Sequence, residues 1–267
     1  MLSQKRSVLG SLITTLPYKD FVSEIFRLVE NRQPSYICFA NVHMVVEGRR
    51  NPAFQKVINE AALVAPDGKP LSVLLRLAEG LKQERICGMD IFPDIMVRAE
   101  ASGKSVYFYG TTPELLKAIA EKAHREFPDL KIAGYFSPPF RDLTVDETEK
   151  IADMIGNTKP DLVFVSLGCP KQERWMAENK LRLGTCLLGL GQAFKVYAGE
   201  EKRLPRWMRA LALEWLYRLY LEPGRLWKRY LVTNSYFIFL AARKLLSLWT
   251  SGIYPFRRKQ AEPYRIN

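Results

Sequence analysis

The 267-residue sequence is poor in the residues that build metal and disulfide frameworks. Its four cysteines, Cys38, Cys87, Cys169 and Cys186, show no C-x-x-C spacing, which excludes a zinc ribbon and a dense disulfide scaffold. Two histidines, His43 and His124, are too few for a His-rich metal site. The apolar stretch from Leu231 to Ala242 is interrupted by Thr233, Asn234 and Ser235 and stops at Arg243-Lys244. It falls short of the ~20 residues that a transmembrane helix needs, and reads instead as an interfacial amphipathic helix. There is no internal repeat, no low-complexity segment and no secretory leader pattern. A reducing, cytoplasmic compartment is therefore the expectation.

What is present is an ordinary globular composition, 48% hydrophobic and 25% charged, with an uneven charge. The formal net charge is +12, but residues 202–267 hold 14 Lys+Arg against 3 Asp+Glu. Residues 1–201 are close to neutral, with 26 basic and 25 acidic side chains. Four of the five tryptophans, Trp207, Trp215, Trp227 and Trp249, also lie after residue 201. The expected organisation is an α/β body over 1–201 and a basic, aromatic-rich helical appendage over 202–267. Interleaved arginine and aromatic residues suit nucleic acid or an anionic membrane surface.

The body alternates apolar runs with helical patterns. Runs at 36–42, 105–109, 131–136, 161–168 and 185–191 fit strands buried on both faces of a parallel sheet. Thr112 is placed to cap one helix, with Pro113 and Glu114 in its opening turn, and Thr144 begins a second. In the second, Ile151, Met154 and Ile155 share a face. A third pattern covers 171–181, with Trp175, Met176 and Leu181 apolar. After residue 202, one helical pattern runs from Leu211 to Leu221, Pro223 breaks it, and another begins near Arg225. Strand–helix repetition predicts a doubly wound, mostly parallel, Rossmann-like sheet, whose ligands bind beyond the carboxyl ends of the strands.

The strand ends hold the candidate chemistry. In Ala65-Pro66-Asp67-Gly68 the Asp reads either as a turn residue or as a general base for a sugar hydroxyl. In Ser166-Leu167-Gly168-Cys169-Pro170-Lys171-Gln172-Glu173 a strand runs through Gly into a helix start. Backbone N–H groups there suit an anion, Lys171 adds charge, and Gln172 brings an amide; the plain alternative is a solvated connection. Tyr109-Gly110-Thr111-Thr112-Pro113-Glu114 is a similar junction but lacks G-x-G-x-x-G. Arg203, Arg206, Arg209, Arg218, Arg225, Lys228 and Arg229 could meet phosphates bidentately or simply coat a solvated helix face. His43 reads as a structural hydrogen-bonder and the cysteines as small core residues.

Taken together, these stretches resemble the WecG/TagA/CpsF family of bacterial glycosyltransferases, glycosyltransferase family 26, over roughly residues 8 to 231. The likeness is carried by Asn41-Val42-His43-Met44, Val64 to Gly68, Gly88-Met89-Asp90, Tyr109-Gly110, Leu167 to Glu173 and Gly189-Leu190-Gly191-Gln192-Ala193-Phe194. In the appendage it is carried by Tyr197-Ala198-Gly199, Lys202 to Trp207, Leu213 to Arg218, Glu222-Pro223 and Arg225 to Tyr230. Phe39, Lys195 and Lys228 depart from the commoner Thr, Asp and Arg of the family.

The resemblance implies an inverting, metal-independent transfer from a UDP-sugar to a polyprenyl-diphosphate-linked saccharide on the inner face of the cell membrane, in cell-surface polysaccharide synthesis. It implies Asp67 as catalytic base and Gln172 as active-site glutamine. Arg218 and Arg225 would close over the diphosphate. The wider binding set expected is Asn41, His43, Gly110, Thr111, Tyr135, Gly168, Pro170, Lys171, Glu173, Gly191, Gln192, Arg203, Lys228 and Arg229. No cofactor and no nucleic-acid partner is expected, and an oligomer is possible. The rival readings are a non-catalytic nucleotide-sugar-binding scaffold and a nucleic-acid binder using the basic tail.

Overall fold

The computed structural model describes residues 4–205, 208 and 214–252, with the backbone but not the side chains of Glu214, Arg218, Arg225, Leu226 and Arg229. It opens on a small antiparallel hairpin, β1 (Lys5–Val8) and β2 (Ser11–Thr14). A six-stranded sheet follows, built from β3 (Ser35–Ala40), β4 (Leu63–Pro66), β5 (Ser105–Gly110), β6 (Lys131–Phe136), β7 (Leu162–Ser166) and β8 (Cys186–Gly189). Its order is β4-β3-β8-β7-β5-β6, and every pairing is parallel. The doubly wound, Rossmann-like α/β architecture expected from the sequence is the one observed.

Alternation along the strands feeds two cores, because successive side chains point to opposite faces. Ile37, Phe39, Val106, Phe108, Leu162 and Phe164 enter the first core; Cys38, Ala40, Tyr107, Tyr109, Val163 and Val165 enter the second. The first is covered by α1 (Tyr18–Glu30), α5 (Gly88–Ala101), α6 (Pro113–Glu126) and α9 (Ala193–Ala198). The second is covered by α2 (Val42–Arg50), α3 (Pro52–Glu60), α4 (Lys69–Glu79), α7 (Val145–Asn157) and α8 (Lys171–Leu183). Phe92 holds the first core together. Its ring lies 5.0 Å from Phe164, 5.4 Å from Phe194 and 5.1 Å from Tyr197, which draws α9 and the end of β8 onto α5.

Several local expectations change. The first apolar run stops at Ala40; Asn41 leaves the strand and caps α2, its side chain accepting from Met44 N at 3.1 Å. Val42 and His43 are therefore helical. Leu181 does not share the buried face of Trp175 and Met176: it is 76% exposed, because α8 turns only one side to the sheet. Met154 is likewise turned outward while Ile151 and Ile155 are buried.

The appendage forms α10 (Glu214–Leu221) and α11 (Pro223–Thr250). Pro223 starts α11 rather than only ending the preceding helix, since a missing N–H costs nothing in a first turn. One side of α11 packs on α2 and α4. Phe237 and Thr233 are buried, the Tyr236 ring lies under the Arg50 guanidinium at 5.0 Å, and Lys244 Nζ donates to Ser7 O at 2.9 Å.

Candidate active site

Along the carboxyl edge of the sheet the chain presents, in spatial order, Asp67 after β4, Asn41 after β3, Gly191 after β8, Ser166 to Gly168 after β7 and Thr111 after β5. The neighbours β5 and β7 send their connections opposite ways. β5 leads through α6 on the first face to β6, and β7 leads through α8 on the second face to β8. Divergence of this kind leaves a crevice that no connection fills, the usual ligand position in open α/β sheets.

A cleft of about 380 Å³ lies there, lined by Thr111, Ser166, Leu167, Lys171 and the loop 138–142. Gly110 makes the close approach of the two strand ends possible. Its φ is +112°, and a Cβ would stand 2.3 Å from Ser166 O. Thr111 N then donates to Ser166 O at 3.0 Å, and Ser137 Oγ donates to Thr111 O at 2.5 Å. The N-terminal ends of α6 and α8 flank the cleft, so two helix dipoles point their positive ends toward it. Lys171 Nζ donates to Arg141 O at 3.2 Å and lies 3.9 Å from the Asp142 carboxylate.

Beside the cleft, the first turn of α8 lays Gln172 over the end of β8. Gln172 Nε2 donates to Gly189 O at 3.1 Å and to Glu173 Oε1 at 2.7 Å. Gly189 leaves the room for this: a Cβ there would sit 3.0 Å from Nε2 and 2.7 Å from the Met176 methyl group. Glu173 is fully buried, 0% exposed, and does not line the cleft. Burial pushes its carboxyl up to about 7, against the opposing pull of hydrogen bonds from Gln172 and Cys169. The Cys169 thiol is itself raised, by burial first and then by the Glu173 charge.

At the far end of the edge, Asp67 N donates to Ala40 O at 2.8 Å, which ties the turn after β4 to the end of β3. The carboxylate faces Arg85, whose Nε is 3.8 Å from Oδ1. Arg85 reaches this place because Ile86 N donates to Pro66 O at 3.1 Å, folding the 80–87 loop back along β4. Nothing in the sequence signals Arg85. It stands in a loop, and only the return of that loop to β4 brings it to Asp67.

A model of the glycosyl transferase WecG/TagA/CpsF family matches residues 6–251. The chain belongs to this family. It is 33% identical over 209 residues to a Bacillus spizizenii protein, spanning 78% of this chain and 79% of the relative. A Bacillus subtilis protein is 32% identical over the same shares. One from Staphylococcus aureus is 30% identical over 199 residues, 73% of each chain. All three are named N-acetylglucosaminyldiphosphoundecaprenol N-acetyl-beta-D-mannosaminyltransferase.

In this WecG/TagA/CpsF glycosyltransferase Glu173, expected among the binding residues, is buried and does not line the cleft, and the other expected site residues fall into three groups. Asp67, Asn41, Gly110, Thr111, Gly168, Pro170, Lys171, Gln172, Gly191 and Gln192 lie at the strand ends and the helix starts that follow them, and His43 lies in the first turn of α2. Asn41 spends its side-chain oxygen on capping, and Gln192 bonds Glu201. The members of a second group do not line the cleft. Tyr135 is exposed on the edge strand β6, away from the cleft lining, and Arg203 is committed to Met89 O and the Asp90 carboxylate. In the third group, Lys228 lies 5.4 Å from the Trp227 ring; the side chains of Arg218, Arg225 and Arg229, and all of Arg206, Trp207 and Arg209, lie outside the described residues.

The departures from the family pattern are structurally quiet: Phe39 packs in the first core, and Lys195 pairs with Glu201 at 3.8 Å. Among the described residues, no group of three or more His, Cys, Asp and Glu side chains could hold a metal ion. No described helix is long and apolar enough to cross a membrane. The side of α11 turned away from the body nevertheless exposes Trp227, Leu231, Ile238, Phe239, Leu246 and Trp249, and α10 adds Trp215, Tyr220 and Leu221.

Proposed function

We propose that this protein transfers a sugar from a UDP-sugar to a polyprenyl-diphosphate-linked saccharide with inversion, in bacterial cell-surface polysaccharide synthesis. The observation that carries the reading is the spacing of the carboxyl edge. Asp67 and the crevice between β5 and β7 share that edge, and β4 and β7 are three strand spacings apart, about 14 Å. A nucleotide seated in the crevice directs its diphosphate and sugar along the edge, past Gln172 and toward Asp67. The Asp67 carboxylate takes the proton of the acceptor hydroxyl as its oxygen bonds the anomeric carbon. The bond from that carbon to the diphosphate breaks, and UDP leaves with the electron pair. Donors at the starts of α6 and α8, with Lys171 and appendage arginines, meet the developing charge. No metal enters this scheme.

The relatives' names favour N-acetylmannosamine as the sugar and N-acetylglucosaminyl-diphosphoundecaprenol as the acceptor. The exposed apolar side of α11 and the basic residues of the appendage support attachment to the inner face of an anionic membrane. The deciding experiment is transfer from UDP-N-acetylmannosamine to a short-chain lipid-diphosphate N-acetylglucosamine. Asp67→Asn should lower kcat by about 10²–10⁴-fold while UDP binding persists. Near-wild-type turnover of that variant removes the role of Asp67. Binding of UDP-sugars by the wild type without turnover of any donor favours the scaffold reading instead.

A further inference from the structure

The Gln172 side chain is fixed from two sides. Gly189 O can only accept, so the end of the amide facing the sheet is its amino group. The carboxylate of Glu173 takes the second amino hydrogen at 2.7 Å. Gln172 Oε1 is left buried, with no hydrogen-bond partner among the described residues. It lies 3.5 Å from where a Cβ on Gly191 would stand, and so toward the loop that leaves β8 at the carboxyl edge. The whole side chain is 5% exposed. An acceptor held in this way is satisfied when a hydroxyl or amide N–H enters beside it. Glu173 does not line the cleft and is wholly enclosed, at 0% exposure, so the ligand's partner is Gln172.

We propose that Glu173 is a positioning residue: it locks the Gln172 amide so that Oε1, not the amino group, meets a hydroxyl or amide N–H of the bound sugar. Without the carboxylate, only the bond to Gly189 O opposes rotation of the amide, and rotation presents a donor where the sugar also offers one. The kinetic consequence rests on the transfer reaction proposed above; the lock itself does not.

Two measurements test it. In transfer from UDP-N-acetylmannosamine to the short-chain acceptor, Glu173→Leu should lower kcat roughly 10–100-fold, with the donor KM changed far less. Glu173→Gln, whose side-chain carbonyl can accept the same bond, should recover most of the loss. Gln172→Leu combined with Glu173→Leu should be no worse than Gln172→Leu alone. Additive losses, or a Glu173→Gln variant as poor as Glu173→Leu, overturn the proposal.

The second measurement needs no turnover and no variant of Glu173. With ¹⁵N-glutamine labelling, the Gln172 side-chain amide protons are assigned by their loss in Gln172→Leu. In the wild-type protein they should exchange with water at least about tenfold more slowly than those of exposed glutamines. Exchange as fast as theirs overturns the lock. A protected amide in a protein that turns over no donor leaves the lock standing and removes only the proposed reaction.

Discussion

The two faces of α11 and the two ends of Gln172 show opposite uses of an unsatisfied surface. At Gln172 a single polar atom is left without a partner among the described residues, inside a buried setting. On α11 a whole apolar side is left open to solvent, with no geometry to select among ligands. The first arrangement suits recognition of one molecule, because a buried polar group discriminates by hydrogen bonding. The second suits a surface, because the hydrophobic effect scales with area and has no direction. On the proposed function, the body carries chemical specificity and the appendage a broad affinity.

Adjacent residues on α11 make this contrast breakable. Phe237 is buried in the second core and Ile238 is exposed. Phe237→Ala should destabilise the protein by about 3–5 kcal/mol in denaturant unfolding. A loss below 1 kcal/mol would show that the appendage does not share the body's core.

A somewhat smaller effect concerns Glu173. Its carboxyl is raised from 4.5 to about 7 in the folded protein, chiefly by burial beside Gln172 and the Cys169 thiol. Between these values the folded state of this group binds more protons than the unfolded one, so its contribution to stability is greatest below pH 4.5 and falls as pH rises to about 7. The part lost is on the order of 3 kcal/mol. Glu173→Gln should remove that pH dependence, so the difference in Tm between variant and wild type should shift in the variant's favour from pH 5 to pH 8. A pH-independent difference would show that the carboxyl titrates normally.

Smallest in stability is the exposed side. Ile238→Ser with Phe239→Ser should change unfolding free energy by no more than about 1 kcal/mol in total. The pair should nonetheless weaken binding to anionic phosphatidylglycerol vesicles roughly tenfold or more. Unchanged vesicle binding would take that side of α11 out of any membrane contact. These substitutions separate the two roles more cleanly than removal of residues 202–267, which also strips Phe237 from the body.

The sequence made the central strands plain because β5, β7 and β8 are continuous apolar runs, buried on both faces. It was silent where the elements are short or mixed. The strands β1 and β2 have four residues each, and Lys5-Arg6-Ser7 carries no apolar alternation. The helix α5 contains Pro93, which argues against a helix in any local reading, although Ile91, Phe92, Ile95 and Met96 bury its inner side. In the site, Asp67, Gln172 and the glycine junctions were legible because strand ends are where chemistry collects in such sheets. Arg85 was not, because its position depends on a loop returning to β4. The arrangement of Glu173 against Gln172 was equally hidden: two adjacent polar residues on a helix give no sign that one is wholly enclosed.

The packing of α11 on α2 and α4 also bears on how the protein is made. The apolar layer over those two helices is completed by Phe237, with Tyr236, Ala241, Leu245 and Leu248 against it. These residues emerge from the ribosome some 60 positions after Met176, which is buried in the same core. Through that interval the sheet can form while α2 and α4 still expose an unfinished apolar seam. The same helix that finishes the seam bears the open apolar side, so the finished seam and that exposed side appear together.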